Sequence, residues 1–218
     1  NQPGCYRDVK DVTAVAQFKV QKSEKSNFLF KNLHGELFFL AWTTTPWTLP
    51  SNTALAVGKK IDYVKIQTFN QYTHQPITVI LAKNLLAKFF SEKNADLALS
   101  DYKQGDKNIP FKIIDTFKGS NLEGIYYEQL LPYTQPDEGD AFRVLIGDFV
   151  TTDDGTGIVH LAPSFGADDN RVAKQNGIGS LTLVDTQGRF VNIVTDFAGM
   201  YVKDEYYKDG EPKPTLPV

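Results

Sequence analysis

The sequence predicts a β-rich fold with helices at its periphery. Many short segments combine β-branched and aromatic residues with a period of two, which is typical of half-buried strands. Few segments place apolar residues at helical spacing. Hydrophobic residues make up 41% of the 218 residues, enough for a substantial core. Numerous short strands are typical of a β-sandwich or a β-barrel.

The strand pattern is clearest near the start of the chain, at residues 12–20. Val12, Ala14, Ala16, Phe18 and Val20 alternate with mostly polar side chains and would form one face of a strand. Further strands are predicted, in chain order, at residues 37–45, 63–68, 77–81, 143–150, 157–162, 181–184 and 190–194.

Two segments are predicted as helices, residues 81–93 and residues 167–175. In the second, Gly177 would follow the last turn as a C-terminal cap. Residues 100–119 are polar and lysine-rich, which favours a surface connection. We expect one domain over residues 1–210, followed at residues 211–218 by a proline-rich linker that cannot continue a helix or a central strand.

Composition excludes several classes of protein. The single cysteine, Cys5, cannot form an intrachain disulfide, and no cysteine and histidine residues have zinc spacing, so we expect no metal, no cofactor and a cytoplasmic setting. The net charge of -3 gives no general attraction for a nucleic-acid backbone. The apolar run at residues 37–42 is too short to cross a bilayer, so no membrane role is expected.

The first segment that could carry chemistry is WTTTPWTLPSNT, at residues 42–53. Its three consecutive threonines leave an apolar strand and present hydroxyls on both faces of the chain. Hydroxyls donate and accept hydrogen bonds, so they could hold a water and an ester carbonyl, while Trp47 could form a rigid wall. The alternative is structural, since threonine favours strands and the two prolines would shape a turn.

The second segment is GTGIVHLAPSFGADD, at residues 155–169. It would place His160 at the end of a short strand and Asp168 and Asp169 in the first turn of the following helix. A phosphate loop is disfavoured because its lysine is missing and neighbouring aspartates would repel phosphate. A metal site lacks a fourth ligand. A carboxylate anchor for an ammonium group remains, as does the structural alternative of aspartates stabilised by the helix dipole.

Taken together, the two segments resemble the editing domain inserted into isoleucyl-, valyl- and leucyl-tRNA synthetases. WTTTPWTLPSNTALAVG is similar to the threonine-rich peptide of that family, and GTGIVHLAPSFGADD is similar to its second signature, about a hundred residues later. Valyl and leucyl members typically carry arginine after the first two threonines. Thr45 followed by proline and tryptophan, together with His160 before the LAP segment, resembles the isoleucyl branch.

The resemblance implies a closed, distorted β-barrel and a deacylase that removes valine from Val-tRNA(Ile) after transfer. One methylene in an apolar pocket gives only about 1–3 kcal/mol of discrimination, a limit usually illustrated by isoleucine against valine in this same family, so a second, smaller pocket is needed. The implied partners are the 3′ aminoacylated end of tRNA(Ile) and the rest of the parent synthetase in cis. The alternatives are a valyl-type domain acting on Thr-tRNA(Val) and a non-catalytic tRNA-binding β-barrel.

The resemblance also implies roles for individual residues. Asp169 would hold the α-ammonium group of the mischarged amino acid, with Asp168 as the weaker candidate. The threonine peptide would contact the terminal adenosine and the attacking water, and Trp47 and His160 would limit the size of the side-chain pocket. The expected site residues are therefore Asp169, Thr45 and Thr44 in catalysis, and Thr43, Trp47, Thr48, His160, Asp168 and Tyr201 in substrate binding.

Overall fold

The structure is a computed structural model that describes residues 12–208; Cys5 and the predicted linker at residues 211–218 lie outside the described residues. The strands are β1 (Ala14–Lys19), β2 (Glu36–Thr43), β3 (Ala54–Val57), β4 (Asp62–Phe69), β5 (Pro76–Ala82), β6 (Lys112–Lys118), β7 (Arg143–Ile146) and β8 (Ile158–Leu161). The α-helices are α1 (Leu86–Phe89) and α2 (Ala167–Gln175). Short 3-10 helices occupy Asn27–Phe30, Pro46–Ser51, Lys83–Leu85, Glu92–Asn94, Leu99–Asp101, Gly119–Asn121 and Asp204–Tyr206.

The described strands form two sheets. A five-stranded sheet has the order β1-β2-β5-β4-β6, antiparallel except for the parallel pair β2 and β5. A three-stranded sheet has the order β7-β3-β8, in which β3 is parallel to β7 and antiparallel to β8. Isolated bridges at Val20–Tyr127 and Tyr126–Arg143 connect the two sheets on one side. The β-rich prediction is confirmed, but within residues 12–208 no strand pairing joins β6 to β8, so a closed barrel is not found.

The main core contains apolar side chains of both sheets. Phe39 of β2, Leu55 of β3 and Ile158 of β8 belong to one buried cluster, which therefore holds the two sheets together. The alternation predicted for the first strand is confirmed, because Ala16 and Phe18 are buried while their neighbours in the sequence are not.

The predicted helix at residues 81–93 is largely wrong. Leu81 lies in β5, paired with Val64 of β4, and the chain then forms a 3-10 turn before the four-residue helix α1. Leu81 and Leu85 pack into different apolar clusters, so their spacing of four does not reflect one helical face. The helix predicted at residues 167–175 is confirmed, and Gly177 follows it with a φ of +63°.

Two other predictions need correction. The stretch at residues 100–119 contains strand β6, which is largely exposed and pairs only with β4, so it lacks an alternating apolar pattern. Residues 181–194 form no regular strand among the described residues. They contribute only the isolated bridges Val184–Phe190 and Arg189–Tyr201, and their apolar side chains fill a small separate cluster. Within residues 12–208, no helix is long enough and apolar enough to cross a bilayer.

Candidate active site

The threonine-rich segment is the crossover between the two sheets. Strand β2 of the larger sheet ends at Thr43, a 3-10 helix follows at Pro46–Ser51, and β3 of the smaller sheet begins at Ala54. Pro46 occupies the first helical position, where a missing backbone N–H leaves no hydrogen bond unmade. The threonines thus stand at the junction of the sheets, and the prolines do shape a turn there.

A continuous row of hydroxyl groups runs along this crossover. The backbone N–H of Thr45 donates to Oγ1 of Thr43 at 3.0 Å, and the hydroxyls of Thr43 and Thr45 are 3.3 Å apart. Oγ1 of Thr45 is in turn 3.2 Å from Oγ1 of Thr48, which donates to the Thr45 carbonyl at 2.8 Å. These contacts fix the hydroxyl positions before any ligand arrives.

The row ends on His160, which β8 contributes from the other sheet. His160 pairs with Leu55 of the neighbouring strand β3, and its Nε2 lies 3.0 Å from Oγ1 of Thr48. The side chain is only 7% exposed, and this burial lowers its pKa to about 4. Because the Thr48 hydroxyl proton points to a carbonyl, the hydroxyl accepts from Nε2–H, and the imidazole is neutral at pH 7. Nδ1 has no hydrogen-bond partner among residues 12–208.

Asp169 provides a half-buried carboxylate opposite the hydroxyls. It is the third residue of α2, and its Oδ2 accepts a hydrogen bond of 2.8 Å from the backbone N–H of Ala162. Burial raises the pKa of this carboxyl group, and the Ala162 amide partly opposes that effect by stabilising the anion. A carboxylate in such surroundings favours a bound cation, which would replace the solvation that burial removes.

These groups surround one open cleft of about 450 Å³. Thr43, Thr45 and Asp169 all line it, so the two motifs identified in the sequence meet although more than a hundred residues separate them. The remaining expected residues on its wall are Thr44, Thr48 and His160. Hydroxyls, a neutral imidazole and a carboxylate can together bind a small molecule that carries an ammonium group and a polar carbonyl.

The cleft has further walls that the sequence did not predict. Trp42, Phe149 and a glycine-containing loop at residues 153–157 line it. Gly155, with a φ of +70°, lies against the Trp42 ring; a Cβ there would be 3.0 Å from a ring carbon. The neighbouring threonines are a signal that could have identified Trp42, and Gly155 and Gly157 belong to the second sequence segment, whereas Phe149 carries no comparable signal.

A lysine far away in the sequence holds this loop. Nζ of Lys88, in α1, donates to the Asp153 carbonyl at 2.8 Å and to Oδ1 of Asp154 at 2.9 Å. The same Asp154 oxygen accepts from the backbone N–H of Gly155, and the neighbouring lysine lowers the pKa of the Asp154 carboxyl group. The acidic side chain next to the glycines therefore has a structural partner.

Three of the expected site residues do not line the cleft. Asp168 is exposed and pairs with Arg171 at 3.1 Å. Successive residues of an α-helix point in different directions, so Asp168 does not face the cleft as its neighbour Asp169 does. Trp47 lies beneath the ammonium group of Lys203, 4.9 Å from its ring centroid. Tyr201 accepts a hydrogen bond of 2.7 Å from an Arg189 guanidinium stacked on its ring.

A metal site made of His160, Asp168 and Asp169 does not form. Among residues 12–208, no three histidine, cysteine, aspartate or glutamate side chains come together in a way that could hold a metal ion. Nε2 of His160 faces Thr48, and Asp168 faces Arg171.

No protein-family model matches this chain. Comparison with known proteins identifies relatives whose sequences are similar to it over most of its length. The isoleucine–tRNA ligase of Cytophaga hutchinsonii is 59% identical over 221 residues, which cover 97% of this chain and 19% of that protein. The ligase of Bacteroides fragilis is 58% identical over 211 residues, covering 96% and 18%, and that of Clostridium tetani is 42% identical over 198 residues, covering 91% and 16%. The chain thus spans about a fifth of the length of these relatives.

The fold is similar to that of solved synthetase domains. GlLeuRS-CP1 matches with a TM-score of 0.54 at 20% identity, covering 75% of this chain and 60% of that one. The editing domain of the P. knowlesi cytosolic leucyl-tRNA synthetase matches with a TM-score of 0.54 at 16% identity, covering 72% and 60%. The chain therefore belongs to the isoleucine–tRNA ligase family, as a segment that has the fold of a synthetase editing domain.

Proposed function

We propose that this chain is the editing domain of an isoleucyl-tRNA synthetase and that it hydrolyses the ester of mischarged Val-tRNA(Ile) after transfer. The observation that carries the proposal is the cleft in which the hydroxyls of Thr43 and Thr45 and the carboxylate of Asp169 form walls of one cavity. The proposed partners are the 3′ aminoacylated end of tRNA(Ile) and the rest of the ligase in cis, in the cytoplasm.

The carboxylate and the hydroxyls suit the two ends of an aminoacyl ester. The α-ammonium group would pair with Asp169, because a half-buried carboxylate attracts a cation more strongly than an exposed one does. Binding a cation there would also counteract the raised pKa of this carboxyl group and keep it ionised. The ester carbonyl and a water would lie along the hydroxyl row, within hydrogen-bonding reach of Thr45.

The reaction is a displacement by water. Its oxygen attacks the ester carbonyl carbon, the bond from that carbon to the ribose oxygen breaks, and a proton from the water ends on the ribose oxygen, giving free valine and uncharged tRNA. An aminoacyl ester is already activated, so positioning the water and stabilising the oxyanion supply the main catalytic contribution, and we propose no cofactor or metal.

His160 acts in this proposal as a wall and not as an acid or base. Its pKa of about 4 keeps the ring neutral at pH 7, and its Nε2–H is engaged by Thr48. A ring held this way has a fixed position at the boundary of the cleft. A side chain held in a fixed position can limit the size of the pocket, so that the isopropyl group of valine enters and the sec-butyl group of isoleucine does not.

The decisive experiment compares Asp169→Ala with Asp168→Ala. The two residues are adjacent in the same helical turn, but only Asp169 lines the cleft. We expect Asp169→Ala to lower deacylation of preformed Val-tRNA(Ile) at least about 100-fold, as loss of a positioning group can, and Asp168→Ala to leave it near wild type. Asp168→Ala should cost at most about 1 kcal/mol of stability through the helix dipole. Asp169→Ala also removes the acceptor of the Ala162 amide and should cost about 1–3 kcal/mol, so thermal unfolding is measured for both variants.

Because the chain spans about a fifth of its relatives, the assay is run on the chain and on a full-length ligase that carries it. Wild-type turnover by Asp169→Ala would contradict the proposal. Faster hydrolysis of Thr-tRNA(Val) than of Val-tRNA(Ile) would instead support the valyl-type alternative. Binding of tRNA without hydrolysis of either ester would support the non-catalytic, tRNA-binding alternative.

A further inference from the structure

Gly166 lies directly against the carboxylate of Asp169. It precedes the first residue of α2, and a Cβ built on it would be 2.8 Å from both Cγ and Oδ1 of Asp169 and 3.1 Å from Oδ2. Its backbone has a φ of -127° and a ψ of 136°, which any residue adopts. A side chain at this position would therefore displace the carboxylate without straining the backbone.

The same carboxylate is also held by a backbone amide. Oδ2 of Asp169 accepts from the N–H of Ala162, the residue that follows β8. The side chain thus folds back over the loop at residues 162–166, between an amide and a glycine. In this orientation it reaches the cleft, whereas the neighbouring Asp168 extends outward to Arg171.

We propose that Gly166 is a positioning residue for the reaction in the cleft: its missing side chain lets the Asp169 carboxylate fold against the Ala162 amide and face the ammonium group of the bound amino acid. This inference rests on the proposed function. With any larger residue at position 166, the carboxylate has to rotate away from that amide or the loop has to shift, and either change moves the anion from the cleft wall.

Gly177, at the other end of α2, provides a matched control. Its φ of +63° disfavours any other residue, but a Cβ there would have no atom within 4 Å. Gly177 does not line the cleft. Alanine at position 177 therefore strains the backbone without touching the site, whereas alanine at position 166 touches the site without straining the backbone.

The experiment measures deacylation of Val-tRNA(Ile) and thermal unfolding for Gly166→Ala and Gly177→Ala. We expect Gly166→Ala to lower kcat about 10- to 100-fold, because displacements near 1 Å have effects of that size, and to remain folded at the assay temperature. Gly177→Ala should show a lower Tm and near wild-type kcat. Unchanged kcat in Gly166→Ala, while the wild type hydrolyses the ester, would overturn the inference and leave the proposed function standing.

A second measurement separates positioning from simple obstruction of the cleft by the new methyl group. In the 218-residue chain, NMR follows the amide proton of Ala162 against pH, with Asp169→Asn as reference. This proton should titrate with the carboxyl group of Asp169 in the wild type and lose that response in Gly166→Ala. A retained response in a variant with reduced kcat would mean that the methyl group blocks the substrate, which overturns the positioning role. A wild type that hydrolyses no ester would refute the proposed function itself.

Discussion

Acidification should destabilise this protein through His160, whose ring is buried beside the threonine hydroxyls. Burial lowers its pKa to about 4, against an ordinary value of 6.5. In the unfolded chain His160 is therefore protonated below about pH 6.5, whereas in the folded chain it is protonated only below about pH 4. The stability associated with the neutral ring is fully present above pH 6.5 and is lost as the pH falls toward 4.

The size of the effect follows from the two pKa values. Between pH 7 and pH 5 the loss should be about 2 kcal/mol, and it should approach about 3 kcal/mol at pH 4. For a domain of this size, about 2 kcal/mol corresponds to a decrease in Tm of roughly 4–8 °C. Urea unfolding followed by tryptophan fluorescence at pH 7, 6 and 5 measures the free energy directly.

The matched control is His160→Gln, which keeps a neutral hydrogen-bonding group beside Thr48 but cannot titrate. The variant should lose about 2 kcal/mol less than the wild type between pH 7 and pH 5. Burial also lowers the pKa of His34 and raises that of Asp169, but both groups are present in both proteins, so their contributions cancel in the comparison. Parallel stability curves for wild type and variant would refute the reasoning.

Two further predictions concern the same wall of the cleft. Thr48→Val should lower the free energy of unfolding by about 1–3 kcal/mol, because it leaves Nε2 of His160 without its hydroxyl partner; the Thr45 carbonyl keeps the backbone N–H of Thr48 as a donor. Thr48→Ser keeps the hydroxyl, and urea unfolding that shows equal losses in both variants would contradict this account. His160→Ala should enlarge the cleft and let it hydrolyse cognate Ile-tRNA(Ile), whereas Trp47→Ala should not, because Trp47 lies outside the cleft. Deacylation of Ile-tRNA(Ile) measures both variants. A folded His160→Ala variant with no gain in this activity would argue against a size-limiting role of His160.

The sequence predicted the strands and the helix whose side chains follow one clear period. The alternation of Ala16 and Phe18 and the helix at Ala167–Gln175 are of this kind. Strand β3 was missed because all four of its residues are buried, so it shows no alternation, and it follows a proline-containing turn. Strand β6 was missed for the opposite reason, since an exposed edge strand needs few apolar residues.

Sequence patterns could not predict the burial of individual polar side chains. Lys65 occupies a polar position in a predicted strand, yet it is 2% exposed and its ammonium group donates to the carbonyls of Leu29 and Lys31. Those carbonyls belong to a segment more than thirty residues earlier, and only tertiary packing brings them to the lysine.

The candidate site was predicted in part. The two motifs pointed to Thr45 and Asp169, which line one cleft. Motifs do not state which way a side chain points: Trp47, which belongs to the first motif, and Tyr201, which the resemblance suggested, each pack beside a basic residue and do not line the cleft. The hydrogen bond between His160 and Thr48 joins positions 112 residues apart, and no local pattern encodes it.

The passage of the chain from one sheet to the other has a consequence for selectivity. Because the threonine crossover begins on β2 while His160 sits on β8, the width of the cleft depends on how closely the two sheets approach. Interlocked apolar side chains such as Phe39 and Ile158 determine that approach, and such interiors are packed as densely as organic crystals. Rejecting one extra methylene requires walls placed to a fraction of an ångström. Changes deep in the interior should therefore relax discrimination between amino acids well before they unfold the protein.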